Sequence, residues 1–383
     1  MKRKLMICFL IITLGLFSSF PAIAAGFDVK ADSAILIEAK TGQVLFTKNV
    51  NRELPPASMT KIMTLLLSME AIDSGQITLD DTVITSEFAS SMGGSQIYLA
   101  PKEKMDVETL LKSIAIASAN DACVAISEYI GGTEGSFVEM MNQKVKELGL
   151  EHTNFKNSTG LPTDSGKHYS SAKDMAIMAR ELVNNHPKVL EWTNIWIDKI
   201  RDGEFTLYNT NGLIDYYPGA DGLKTGWTDE AGYCLTATAN RDDMRLISVV
   251  MKTDSKEARI EESAKLLSYG FSRFTLERMV KKGEDIGKVQ VKEGKKLEVG
   301  VEAAADLQTV VQAGGNEIER KIEIDKVVKA PVKKGQILGE VVLIQSEKRL
   351  GSVKLVAKES VERAGILTRL IRMIKEFLLS FFK

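Results

Sequence analysis

The stretch "DGLKTGWTDEAGYCLTATANRDDMRLISVVMK" (residues 221–252) decides the fold. Two runs rich in apolar and β-branched residues, "YCLTATAN" (233–240) and "MRLISVVMK" (244–252), flank the polar "RDD" (241–243). That pattern reads as two consecutive strands joined by a tight turn. Just upstream, Lys224, Thr225, Gly226 and Trp227 lead into the pair. The same three letters, KTG, occur once more at Lys40, Thr41 and Gly42, inside "SAILIEAKTGQVLFTKN" (33–49). There they separate two apolar runs, so the first copy reads as the turn of a hairpin.

Working outward, helical spacing appears at 58–74 (Ile62, Leu65, Leu66, Met69), 108–130, 136–150 and 170–185. A further helix, "ARIEESAKLLSYGFSRF" (258–274), follows the strand pair. Strands at both ends with helices between them predict an α+β domain around an antiparallel sheet, over residues 25–278. From about residue 280 the chain changes to short alternating runs such as "KLEVGVEA" and "GEVVLIQ", punctuated by Gly, Lys and Glu. We expect a small all-β domain at 279–359, a spacer or interaction module.

The two ends carry membrane signals. "MKRK", the apolar "LMICFLIITLGLF" and the small-x-small Ala22-Ile23-Ala24 describe a signal peptide, residues 1–24, cleaved before Ala25. The competing reading is an uncleaved anchor, and the apolar run is short for that role. At 360–383 a 100° step places Ile366, Leu367, Leu370, Ile371 and Ile374 on one face, with Arg369 and Arg372 opposite. Such a helix lies in a membrane surface rather than spanning it. The alternative is a helix packed on its own domain. The expectation is an exported protein, on the outer face of the cytoplasmic membrane, held there peripherally through 362–383.

Composition narrows the partners. A formal net charge of −1 gives no electrostatic case for nucleic acid. Of three cysteines, Cys8 leaves with the signal peptide, and Cys123 and Cys234 lie in apolar surroundings, so no disulfide framework is expected. No His-Glu-x-x-His or Cys/His cluster is present, and neither metal nor cofactor is expected. The histidines, His152, His168 and His186, come without a Gly-x-Ser-x-Gly elbow, which argues against a Ser-His-Asp hydrolase.

The chemistry is carried by spacing and order. Ser58 and Lys61, in "PASMTK", are three apart at the head of a helix and share a face. A serine there lies near free backbone N–H groups, and an amine one turn away can take its proton if burial or another cation depresses the amine's pKa. Ser-x-x-Lys alone is weak, since about one or two copies are expected by chance in a chain this long; "SSAK" at 170–173 is a second. Order strengthens it: Ser58/Lys61, then Ser118-Ala119-Asn120, then Lys224-Thr225-Gly226. This triple belongs to β-lactamases and penicillin-binding proteins.

With "LAPKEKMDVETLLKSIAIASANDA", "NSTGLP" and "HYSSAKDMAIMARELV" added, the chain resembles the low-molecular-mass penicillin-binding proteins, the D-alanyl-D-alanine carboxypeptidases, especially those of Gram-positive spore formers. The resemblance runs over essentially the whole mature chain. It implies a transpeptidase-like α+β fold, an antiparallel sheet flanked by helices, followed by the small β domain and the amphipathic helix. It implies removal of the terminal D-alanine from peptidoglycan stem peptides, with β-lactam antibiotics as covalent inhibitors. Ser58 would be the acylated nucleophile and Lys61 its base. Ser118 and Lys224 would relay a proton to the departing D-alanine, and Asn120 would hold the substrate amide and Lys61. Lys224 and Thr225 of the Lys224-Thr225-Gly226 motif would bind the terminal carboxylate, with Arg259 as a further candidate. The N–H groups of Ser58 and Trp227 would form the oxyanion hole. Trp227 stands where several relatives have His, so only its backbone role carries over. A β-lactamase would add a Glu-x-x-x-Asn loop, which "NSTGLPTDSGKHYSSAKD" lacks. An inactive envelope-binding protein is the non-enzymatic alternative.

Overall fold

The structure, a computed structural model, describes residues 27–380. The expected signal peptide at 1–24 lies outside the described residues. Strands of the first unit are β1 (Ser33–Glu38), β2 (Val44–Lys48), β3 (Thr82–Ile84), β4 (Lys104–Asp106), β5 (Ile197–Ile200), β6 (Phe205–Tyr208), β7 (Ala220–Thr228), β8 (Gly232–Arg241) and β9 (Met244–Thr253). Five of them form an antiparallel sheet in the order β2-β1-β9-β8-β7, which leaves β7 as an edge.

Both faces of this sheet are covered, and β1 shows it. Alternate side chains of a strand face opposite sides, yet all six residues of "SAILIE" are buried. Ile35 and Ile37 join the core containing helix Lys61–Asp73, while Ala34 and Leu36 join the core under helix Lys256–Arg273. A strand with two dry faces is written as a continuous apolar run. Helix Lys61–Asp73 is itself buried nearly all round, which explains its weak amphipathic pattern. Side-chain caps start four other helices: Asp106, Thr133, Ser171 and Ser255 each accept the backbone N–H three residues on.

Three local features differ from the sequence reading. The long helical stretch at 108–130 is broken into Val107–Ala117 and Asn120–Gly131, because Ser118 takes a left-handed conformation (φ 64°). Tertiary bonds replace the helical ladder there: Asn120 N donates to Ser95 O at 2.7 Å, and the Asp121 carboxylate accepts from Leu99 N at 3.0 Å. Lys224-Thr225-Gly226 lies in the middle of β7 rather than ahead of the strands, since pairing with β8 extends the sheet through it. The β5–β6 hairpin was not anticipated at all.

The second unit contains β10 (Phe274–Val280), β11 (Asp285–Lys292), β12 (Glu298–Ala303), β13 (Leu307–Gln312), β14 (Glu319–Ile324), β15 (Val327–Lys329), β16 (Ile337–Gln345) and β17 (Lys348–Ala357). β10 pairs with β13, and the rest form one sheet, β14-β16-β17-β12-β11-β15. The expected boundary at 278/279 falls inside β10, which follows directly on helix Lys256–Arg273. Val289, Val301, Val341, Leu343 and Leu355 build a separate small core. Alternation is clear in β11 and β12, where Val289, Val291, Val299 and Val301 face inward. A last helix, Ile366–Ser380, follows.

The first KTG turns the β1–β2 hairpin. Gly42 supplies the left-handed position (φ 72°), and the buried Glu38 carboxylate accepts Thr41 N and Thr41 Oγ1, both at 2.7 Å. The next residue, Gln43, reaches the second unit: its amide accepts Val310 N (3.1 Å) and donates to Val310 O (3.3 Å). This copy is architecture.

Candidate active site

Ser58 sits in a 3-10 turn, Ala57–Thr60, at the head of helix Lys61–Asp73. Two glycines let the chain close around that turn. A Cβ on Gly160 would lie 1.8 Å from Ala57 O, and one on Gly226 would lie 2.6 Å from Pro56 O. Gly226 therefore allows edge strand β7 to pass against the serine turn, as "KTG" placed there requires.

Lys61 is fully buried, and its Nζ has three neighbours: Ser58 Oγ at 2.9 Å, Asn120 Oδ1 at 2.6 Å and Thr159 O at 2.9 Å. Asn120 is fixed in turn by donating Nδ2 to Gly93 O at 2.7 Å. Burial disfavours the ammonium and lowers the Lys61 pKa to about 8. Two neighbours of Lys61 can only accept, Asn120 Oδ1 and Thr159 O. A neutral amine gives its two N–H groups to them and is left with its lone pair toward the one partner able to donate, the Ser58 hydroxyl. In its neutral form Lys61 would thus turn an acceptor toward the Ser58 hydroxyl at 2.9 Å.

Lys224 is buried as well, donating to Thr225 O at 3.2 Å. Burial, followed by the Lys61 and Arg259 cations, pushes its pKa well below the ordinary lysine value. Thr225 Oγ1 donates to Thr210 Oγ1 at 2.7 Å. Arg259 is buried, gives Nη1 to Gly226 O at 3.1 Å and stands over the Tyr233 ring, while its buried Nε has no protein partner. A buried guanidinium N–H without an acceptor, beside the Lys224 amine, suits a carboxylate. Trp227 is 52% exposed, its ring tilted against Tyr233.

The structure thus gathers Ser58, Lys61 and Asn120 into one hydrogen-bonded cluster, with Lys224, Thr225 and Gly226 on the adjoining edge strand. Ser118 is buried in its left-handed turn two residues from Asn120, but among the described residues no hydrogen bond joins it to Lys224. Sequence reasoning missed Thr159 and Thr210. Thr159 contributes a carbonyl, which no side-chain pattern reveals; "NSTGLP" carries a signal only through the family resemblance. Thr210 lies in the loop after the β5–β6 hairpin, outside every motif, and its N–H is held by Ile116 O at 3.1 Å.

A family model described as D-alanyl-D-alanine carboxypeptidase matches residues 20–255, and one described as penicillin-binding protein 5, C-terminal domain, matches 274–363. The chain belongs to the D-alanyl-D-alanine carboxypeptidase family. It is 46% identical to D-alanyl-D-alanine carboxypeptidase DacF of Bacillus subtilis over 353 residues, covering 91% of this chain and 90% of that one. It is 34% identical to DacD of Escherichia coli, over 97% of this chain and 98% of that one. Among carboxypeptidase folds, penicillin binding protein 5 of Haemophilus influenzae superposes with a TM-score of 0.79 at 33% identity, covering 88% of this chain and 99% of that one. Penicillin-binding protein D2 of Listeria monocytogenes, solved in an ampicillin-bound form, matches at 32% identity and a TM-score of 0.59, over 64% of this chain and 98% of that one.

Proposed function

We propose that this serine D-alanyl-D-alanine carboxypeptidase works on peptidoglycan stem peptides through an acyl-enzyme on Ser58, outside the cytoplasmic membrane and on its surface. The observation that carries the mechanism is the three-way environment of Lys61 Nζ, which leaves its lone pair for Ser58. Ser58 Oγ attacks the carbonyl of the penultimate D-alanine as its proton passes to Lys61. The N–H groups of Ser58 and Trp227 receive the oxyanion. The C–N bond to the terminal D-alanine breaks, and its nitrogen takes a proton by way of Ser118 and Lys224. Water then cleaves the ester and regenerates Ser58. Lys224, Thr225 and Arg259 hold the terminal carboxylate, and Asn120 holds the substrate amide beside free groups of edge strand β7.

β-Lactams present a carbonyl and a carboxylate to the same groups and acylate Ser58. Glu134 reaches the segment beside the site, where its Oε1 accepts from Ser158 N (3.0 Å) and Ser158 Oγ (2.7 Å). Both bonds tie Glu134 to Ser158, the residue before Thr159, rather than to Ser58.

The membrane reading is supported by the exposure of Ile366, Leu367, Leu370, Ile371 and Ile374, between 47% and 79%. Among the described residues no helix is long and apolar enough to cross a membrane. Mass spectrometry of a pentapeptide digest tests the reaction: loss of one alanine is expected, and release of a larger fragment instead would contradict it. Deleting residues 362–383 should move the mature enzyme to the soluble fraction; retention on membranes would contradict the surface helix.

A further inference from the structure

The first turns of helix Ile366–Ser380 are tied to the second unit, Arg369 Nη1 donating to Glu293 and Arg372 Nη1 to Gly294 O. Between the helix and the β11–β12 hairpin end runs a groove of about 760 Å³, lined by Lys292, Glu293, Leu297, Ile366, Arg369 and Leu370 among others. That volume lies within the range of small-molecule sites. Its two sides differ in chemistry.

One side is overfilled with cations. The Glu293 carboxylate is shared by Lys329 (3.0 Å), Arg363 (Nε, 3.0 Å) and Arg369 (3.0 Å). Those cations, Lys329 first, hold its pKa down to about 2, so it stays charged. Arg372 finds only neutral acceptors, Gly294 O at 2.7 Å and Lys295 O at 3.2 Å. Lys292 has no carboxylate partner among the described residues, and the remaining acid of the groove, Glu298, is taken by Lys288 at 3.2 Å. The Nε–H of Arg369 is buried with no acceptor. With Glu298 already paired to Lys288, the lining sets Lys292, Arg369 and Arg372 against Glu293, which Lys329 and Arg363 also hold; this leaves an excess of positive charge and an unfilled donor, which fits an anion.

The other side is apolar. Leu297, on the β11–β12 turn, is 58% exposed, and it faces a groove bordered by Ile366 and Leu370. Ile366 and Leu370 also belong to the exposed apolar face of the helix, so the groove opens onto the surface that would enter lipid. Anionic head and apolar tail, entering from a bilayer, specify the occupant.

We propose that this groove binds one anionic phospholipid, its phosphate on Arg369, Arg372 and Lys292 and an acyl chain along Leu297, Ile366 and Leu370. The proposal rests on the membrane reading, and it adds a stoichiometric lipid site to a non-specific surface contact. Phosphate contacts of the bidentate arginine kind would then tie the helix, the second unit and the bilayer together.

The test uses the mature chain and dihexanoyl-phosphatidylglycerol below its micelle concentration, followed by calorimetry. Saturable binding with a stoichiometry of one is expected. Leu297→Asp, at a position off the helix, and Arg372→Gln should each weaken it by about tenfold or more, in line with losing a buried aliphatic side chain or a charged contact. Turnover of a soluble D-Ala-D-Ala peptide should be unchanged in both, which reports intact folding. Glycerol phosphate alone should bind far more weakly; equal affinity would overturn the proposal by removing the acyl chain from it. So would absence of saturable binding, or wild-type affinity in both variants. Vesicle sedimentation separates the two readings. Binding to phosphatidylglycerol vesicles without monomer binding would sink the groove and leave the membrane helix standing. Monomer binding without vesicle binding would support the groove and sink the membrane helix.

Discussion

Replacing Asn120 by Asp changes little in shape and much in charge. Asn120 Oδ1 lies 2.6 Å from Lys61 Nζ, with both side chains buried. A carboxylate there favours the ammonium. Opposite charges about 4 Å apart attract by about 4 kcal/mol at an effective dielectric constant of about 20; burying the new carboxylate offsets part of this. Taking half leaves about 2 kcal/mol, or roughly 1.5 pKa units. Lys61 starts at about 8, which leaves about one molecule in ten with a neutral amine at pH 7. The substitution cuts that fraction by about thirtyfold, and the acylation rate with it. The assay is the second-order rate of labelling by a fluorescent penicillin between pH 6 and 10.5. In the wild type the rate should rise with pH to a plateau with a midpoint near 8, because deprotonation creates the base. In Asn120→Asp the midpoint should move up by at least about one unit, with partial recovery of rate at pH 10. The variant also loses the bond from Asn120 Nδ2 to Gly93 O, which lowers amplitude and stability but leaves the midpoint alone. A midpoint unchanged from the wild type would refute Lys61 as the base.

Gly160→Ala forces a Cβ into Ala57 O at a left-handed backbone position (φ 82°); displacing the serine turn by about 1 Å should cost about a hundredfold in acylation, read with the same reagent. His168 Nε2 lies 2.9 Å from Thr60 Oγ1, and burial followed by Lys156 lowers its pKa to about 4. The unfolded chain binds a proton there from about pH 6.5 downward while the folded chain refuses it. Stability is therefore complete above pH 6.5 and falls by up to about 3 kcal/mol toward pH 4. His168→Gln should flatten that part of the Tm–pH curve, and an unaltered curve would count against it. Gln43→Ala removes the acceptor of Val310 N; exchange of the Val310 amide should accelerate while turnover of a soluble substrate stays within about twofold, since the clasp is worth only about 1 kcal/mol per hydrogen bond.

Much of this site was legible because its side chains keep a fixed spacing and order. Ser58 and Lys61 share one helical turn, so their contact follows from local geometry. Asn120 and Lys224 arrive from distant elements, and only the order of motifs and the family resemblance pointed to them. The two copies of KTG show the limit of spelling. Lys40, Thr41 and Gly42 close a hairpin on Glu38, whereas Gly226 is a glycine because Pro56 O leaves no room for a side chain. What stayed hidden was backbone or distant. The Thr159 carbonyl has no sequence signature, and the break at Ser118 is imposed by Ser95 and the Leu99 amide rather than by a Gly or Pro. The β5–β6 hairpin lies in "IDKIRDGEFTLY", where an exposed Ile197, and Asp198 on the same face as buried Ile200, leave no apolar–polar alternation to read. The second unit's first strand, β10, has no clear signal because it follows helix Lys256–Arg273 without a break and buries only Val280 fully.

The most direct test of Ser58 as nucleophile is to incubate the enzyme with benzylpenicillin, digest it and map the adduct. A single penicillin mass is expected on the peptide containing Ser58, and none on the Ser58→Ala protein. An adduct on another residue, or labelling of Ser58→Ala at the wild-type rate, would contradict the account.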